Sequence, residues 1–291
     1  MRIPQGTRVH RGLIGLAVVA AWLALTLAGC GGPKERSAES AGKRIVCASP
    51  AVAEIVFALG CGDRVVGVSE FTDWPPEAAA MPSIGGALSP NRERILALAP
   101  DLLLTQGKSA ALEAFAQAQG LGFRTFPLDT LADLRAAIAG FAEFLGVPAR
   151  GRDLLEKMDA DFAALPSREP ATVFIALGHV PGDWSGLMTS GPGTFLSEIV
   201  AQAGGSNVFA DVDVLWPKIS QETLIRRKPA VILDFQSVAA DETRRAALIA
   251  DWTQLGFRPD QVRILDEEYL LKPGPRAAQS AAVVARALDD N

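Results

Sequence analysis

The sequence predicts an α/β protein of two similar α/β lobes, joined by one long backbone helix, with a ligand cleft between the lobes. Three observations predict this. Short apolar runs alternate with amphipathic helical stretches along most of the chain, the rhythm of a parallel sheet covered on both faces. The rhythm is broken once, over residues 148–165, by a long helical pattern with Leu154, Leu155, Met158, Phe162 and Leu165 near one stripe. Motifs on either side of the break recur in the same order.

In the first half, strands are expected at 44–48, 65–68, 102–105 and 123–126, and helices at 50–59, 91–98, 109–119 and 131–145. Pro148 starts the long helix and Pro166 ends it. In the second half, strands are expected at 172–177, 230–234 and 262–265, and helices at 195–203, 221–227 and 277–288. The internal match has two parts. Ser49-Pro50 leading to Glu54-Ile55-Val56 and Gly60 parallels Gly191-Pro192 leading to Glu198-Ile199-Val200 and Gly204. Asn91-Arg92-Glu93, then Pro100 and Leu102-Leu103-Leu104, parallels Ser220-Gln221-Glu222, then Pro229 and Val231-Ile232-Leu233. Two matches in one order argue for two similarly built lobes. A stiff helical joint between them implies limited opening and closing.

Ahead of the fold, Arg2, Arg8 and Arg11 precede an uncharged stretch from Gly12 to Leu27, and Leu27-Ala28-Gly29-Cys30 closes it. This is the order of a secretory signal, residues 1–29. A plain transmembrane anchor is the competing reading, because the apolar run approaches spanning length. The close resembles a bacterial lipobox, which implies that Cys30 is lipidated and begins the mature chain. Gly31 is not the aspartate associated with inner-membrane retention, so the membrane is left open. Residues 30–42 read as a flexible tether. The lobes then fall at 43–146 and 167–291, with the backbone helix at 147–166.

At 49% hydrophobic and 21% charged, the chain is globular in composition. A net charge of −5, without an extended Lys/Arg run beyond the signal, argues against a nucleic-acid partner. Cys47 falls in a strand and Cys61 just past the next helix. An oxidising compartment permits a bridge, and two buried thiols are the simpler reading.

The mature chain resembles the periplasmic binding proteins for vitamin B12, ferric siderophores and haem. The resemblance rests on Arg44-Ile45-Val46-Cys47-Ala48-Ser49-Pro50, Asp73-Trp74-Pro75-Pro76-Glu77-Ala78, Gly85-Gly86 through Asn91, and Leu98-Ala99-Pro100-Asp101-Leu102. In the second half it rests on Ser190-Gly191-Pro192-Gly193-Thr194-Phe195, Ala203-Gly204-Gly205-Ser206-Asn207-Val208-Phe209, Trp216-Pro217-Lys218-Ile219-Ser220 and Pro273-Gly274-Pro275-Arg276. It implies the substrate-binding lipoprotein of an ABC importer, which hands a metal chelate to a permease dimer and its ATPase. The chelate is a corrinoid or ferric siderophore, with haem as the alternative. The cobalt or iron is then cargo, and no resident cofactor is expected.

The resemblance also assigns residues. Glu93 and Glu222 become permease-docking carboxylates, one per lobe. Each also suits the first turn of its helix, where a carboxylate favours the dipole. Trp216 and Phe71 match aromatics that line the cleft of B12 binders, and Trp74 lies beside Phe71. Ala87 stands where a B12 binder places another lining Trp, a departure that weakens cobalamin. Ser49 and Trp184 are further candidate contacts. His179, the one histidine past the signal, is a candidate for iron or cobalt, against the simpler reading of a hydrogen-bonded loop residue. A single histidine does not assemble a free-metal site. Arg276, Lys272 and Lys108 are candidates for acidic ligand groups.

A secreted enzyme is the rival class. The Gly191-Pro192-Gly193-Thr194 turn before a helix resembles an anion cradle, yet no Walker lysine follows it and the chain has no Gly-x-Ser-x-Gly elbow. A ligand-sensing lipoprotein that does not transport is the other alternative.

Overall fold

The computed structural model describes residues 42–86 and 88–289. The expectations for the signal, Cys30, the tether up to Ala41, and Ala87 lie outside the described residues.

The first lobe opens with β1 (Ile45–Cys47), α1 (Pro50–Ala58) and β2 (Val65–Val68). Then come α2 (Pro76–Ala79), the hairpin β3 (Gly85–Gly86) and β4 (Ser89–Pro90), and α3 (Arg92–Ala97). It continues with β5 (Leu102–Gln106), α4 (Ala110–Ala118), β6 (Gly122–Phe126) and α5 (Leu131–Phe144). The connecting helix is α6 (Pro148–Ala163). The second lobe holds β7 (Ala171–Leu177), α7 (Phe195–Gln202), β8 (Gly205–Asn207) and α8 (Gln221–Arg227). It ends with β9 (Val231–Phe235), α9 (Glu242–Gln254), β10 (Val262–Leu265) and α10 (Ala277–Asp289).

Two separate parallel sheets result, in the orders β2-β1-β5-β6 and β8-β7-β9-β10. In each, the lobe's first strand lies between its second and third, and its fourth pairs with the third. The duplication seen in the sequence is therefore a duplication of topology. The central strands β1, β5, β7 and β9 read as near-continuous apolar runs because helices cover both faces of each sheet.

Helix α6 packs on α5 of the first lobe and α10 of the second. Gly151 sets the approach to α5, since a Cβ there would stand 2.5 Å from the Ala142 methyl. Met158 is the large side chain that α6 buries fully. One apolar cluster runs from β1, α1 and α5 past Met158 to β7, β9, α7 and α10, so the lobes share a core. Each lobe keeps a second cluster on its far face.

The sequence reading missed β8, the β3–β4 hairpin, α2 and α9. Helix α9 is the largest omission. Asp241 caps it by accepting from the Arg244 amide at 2.8 Å, and Leu248 and Trp252 bury one turn apart. The charge-rich opening Asp241-Glu242-Thr243-Arg244-Arg245 masks that periodicity. Cys47 and Cys61 are buried free thiols, and burial pushes both above the ordinary thiol range.

Candidate functional site

The parallel strands of both sheets end toward a hollow between the lobes. Gln106 closes β5, Leu177 closes β7, and Leu128 follows β6; with Phe195, Trp216 and Leu271 they line a partly open space of about 210 Å³. Crevices beyond the carboxyl ends of strands are where open α/β sheets take ligands.

Two aromatic side chains on loops of the two lobes are exposed. Phe71, just after β2, is 76% exposed and has a φ of 63°, which a residue with a Cβ adopts only at a cost. The fold thus accepts both strain and a solvent-facing ring at one position. On the second lobe, Trp216 lines the hollow and is 45% exposed. Its loop is pinned by Thr189 N donating to Pro217 O at 3.0 Å and Gly191 N donating to Leu215 O at 2.8 Å. Gly191 makes this possible, since a Cβ there would sit 2.1 Å from Val214 O. Trp216 and Phe71 are therefore presented by built loops on opposite lobes.

Gln106 and Asp129 are the polar side chains that line the hollow. Ser49 is 1% exposed, and its hydroxyl donates to Gln106 Oε1 at 2.7 Å. Ser49 thus positions Gln106 and does not itself reach the hollow. Asp129 also lines the space, and its carbonyl accepts from the Phe195 amide of the other lobe.

Other expected ligand residues are placed elsewhere. His179 is 2% exposed. Its Nδ1 lies 2.7 Å from Asp234 Oδ2 and its Nε2 3.3 Å from Asp251 Oδ2. Trp184 stacks on the imidazole with centroids 4.4 Å apart, and Trp252 meets it edge-on. Trp252 Nε1 donates to Asp234 at 2.8 Å, and Gln236 bonds both Asp234 and the His179 carbonyl. Both ring nitrogens are engaged inside the second lobe. His179 and Trp184 are corrected from ligand contacts to parts of this buried network, since neither lines the hollow.

Arg276 is corrected in the same way. Its guanidinium makes two 3.0 Å bonds to Glu54 of α1 and lies over the rings of Trp74 and Tyr269. Glu54 is 5% exposed, so this is a buried pair across the seam between lobes. Trp74 goes with it: Trp74, Glu54, Phe57, Leu154 and Arg276 border a wider groove of about 700 Å³ beside α6. That groove is larger than the strand-end hollow. It lies beside the connecting helix, with Leu154 and Met158 in its wall.

A second cross-lobe pair joins Lys272, next to the wall residue Leu271, to Asp73. Burial raises the Asp73 carboxyl, but the hydrogen bond and charge of Lys272 outweigh it and hold the group below the usual carboxylate range. Glu268 beside it is pushed up, by burial and by the Asp73 carboxylate. Leu131 N donates to Glu198 Oε2 at 2.6 Å, a further link between lobes.

Glu93 and Glu222 are exposed and sit one residue into α3 and α8. Sequence reasoning missed Gln106, Leu271, Glu54, Asp234 and Asp251. Gln106 had a signal, its place at the carboxyl end of a central strand. Glu54 and the two aspartates had none, because their partners lie far away in the chain.

The chain matches the periplasmic binding protein family over residues 45–245. It is 30% identical over 247 residues to the vitamin B12-binding protein of Yersinia pestis strain Pestoides F, covering 83% of this chain and 84% of that one. Among solved structures it resembles the periplasmic heme-binding protein RhuT from Roseiflexus sp. RS-1, with a TM-score of 0.72, 27% identity and coverage of 85% and 98%. It also resembles the vitamin B12-binding protein BtuF of Vibrio cholerae, with a TM-score of 0.67, 27% identity and coverage of 85% and 96%.

Proposed function

We propose, since the chain belongs to the periplasmic binding protein family, that it is the capture component of an ABC importer for a bulky metal chelate. The observation that carries this reading is the strand-end hollow between the lobes, walled by Leu128, Leu177, Phe195, Trp216 and Leu271, with Phe71 a further exposed aromatic on the loop after β2. Apolar walls with few polar groups suit a large, partly apolar ligand. Such a ligand is gripped by its organic periphery, and the protein binds it without chemical conversion.

A corrinoid or ferric siderophore is the first choice. Its metal already has its ligands, so the protein supplies no bond to it. Haem is the second reading, supported by the likeness to RhuT. For haem, the chain's one tyrosine, Tyr269, stacks on Arg276, and His179 is held by two aspartates. A haem complex would accordingly keep its Soret band in His179→Ala. Isothermal calorimetry with cyanocobalamin, hemin and a panel of ferric siderophores tests the class. Trp216→Ala and Phe71→Ala should each weaken the ligand that binds by about tenfold or more. Binding of a sugar or amino acid in place of all three chelates would overturn the proposal.

Delivery needs the hollow placed over the permease. Glu93 and Glu222, one on each lobe, are the carboxylates proposed to set that orientation on a permease dimer with its ATPase. The lipobox-like close of the signal supports anchoring through lipid on Cys30. Mass spectrometry of the mature N-terminus checks this, with Cys30→Ala expected to leave uncleaved precursor.

A further inference from the structure

The two docking segments are alike beyond their glutamates. Asn91 caps α3 by accepting from Arg94 N at 3.0 Å, and Ser220 caps α8 by accepting from Thr223 N at 3.2 Å. The buried anchors Ile95 and Leu224 are both 0% exposed. The segments leave their helices through left-handed residues, Ala99 at φ 43° and Lys228 at φ 49°, ahead of Pro100 and Pro229. At matching positions one turn past each glutamate stands a large aliphatic side chain turned to solvent: Leu96, 43% exposed, and Ile225, 45% exposed.

Each anchor fixes the rotation of its helix, so glutamate and aliphatic residue share an outward face. A helix feeding a parallel strand begins at the end where the strands finish. The first turns of α3 and α8 therefore lie on the cleft side of the molecule. Three of the nearby cations turn back onto the lobes. Arg92 lies over Phe115 and Arg227 over Phe209, while Arg94 reaches the Ser83 carbonyl. On α3 the carboxylate remains as the outward charge beside the aliphatic side chain; on α8 Glu222 shares its exposed face with Arg226, one turn on.

We infer that Glu93 with Leu96, and Glu222 with Ile225, form two equivalent acid-plus-aliphatic contacts for a two-fold symmetric permease that offers a basic group beside an apolar socket on each half. The inference rests on the docking reading above and adds an apolar half to it. The two halves act on different rates. Charge steers encounter and weakens with salt, whereas buried aliphatic surface slows dissociation at any salt.

The test is binding of the full protein to the permease–ATPase complex of the same cell, held in nanodiscs and followed by biolayer interferometry at two salt concentrations. Leu96→Ser and Ile225→Ser should each speed dissociation by about tenfold and together by about a hundredfold, with the salt dependence of association unchanged. Glu93→Gln/Glu222→Gln should slow association and flatten its salt dependence. Each variant should still unfold in one transition with at most a small drop in melting temperature, because the substituted side chains are partly exposed. Leu96→Ala and Ile225→Ala repeat the test with a better helix former. Wild-type dissociation in both aliphatic doubles, alongside slowed association in the glutamate double, overturns this inference and leaves the docking reading standing. An effect at only one of the two aliphatic positions overturns the symmetric partner. Wild-type kinetics in every variant overturns the docking reading itself.

Discussion

The two lobes share a strand order and differ in what they bury beneath it. On the far face of the first lobe lie Val46, Ala48, Ile84, Ile95 and Leu103, with Thr105 near the end of β5. The matching face of the second holds Phe174, Ala176, Leu224 and Ile232, and the position matching Thr105 is Asp234. From that carboxylate the second lobe builds the His179, Trp252 and Gln236 network under the loop that follows β7. The comparison teaches that duplication kept the frame, its caps, anchors and left-handed exits, while strand-end positions were free to diverge. One lobe holds its loops with aliphatic contact and the other adds a buried polar bolt.

The largest expected effect concerns the seam that makes the comparison possible. Arg276→Met would leave the Glu54 carboxylate buried without its partner and should cost about 3–5 kcal/mol in urea unfolding. The double change Glu54→Leu/Arg276→Met should recover most of that loss. If the single change is silent, the seam is not held by this pair. Within the second lobe, Asp234→Asn should cost about 2–3 kcal/mol, since it leaves donors of the network poorly met. Loss of His179–Trp184 stacking should show in near-ultraviolet circular dichroism. The matching change in the first lobe, Thr105→Val, should stay within about 1 kcal/mol. Equal costs at the two positions would erase the contrast between lobes.

The smallest effect is acid dependence at the Asp73–Lys272 link. A carboxyl held below its unfolded value contributes stability above the ordinary carboxylate pKa of about 4, and loses it as pH falls through the depressed value. Glu268 works the other way: its raised value contributes in acid and is lost as pH rises through it. The two partly cancel, and Asp73 is about a third exposed, so the net change should be under about 1 kcal/mol. Acid unfolding of Lys272→Met should show the Glu268 slope with the Asp73 part removed.

What the sequence revealed follows the range of the interactions involved. Periodicity exposed the apolar strands and the long helix, and the duplicated Pro-closed segments exposed the lobes. The paired glutamates were legible because caps and helix starts are local. Trp216 and Phe71 were named through family resemblance; Trp216 lines the strand-end hollow and Phe71 is an exposed ring on the loop after β2. His179, Trp184 and Arg276 were misplaced because their fates depend on Asp234, Asp251 and Glu54, which no local pattern ties to them. Helix α9 was hidden because its charged first turns outweigh the spacing of Leu248 and Trp252.

The shared core under α6 has one more consequence. One apolar cluster that includes Met158 spans both sheets, while each lobe adds a smaller cluster on its far face. Cutting the chain at the joint would expose a broad apolar face on each piece. The protein is therefore one cooperative folding unit wearing the outline of two, and heating should melt both sheets in a single calorimetric transition.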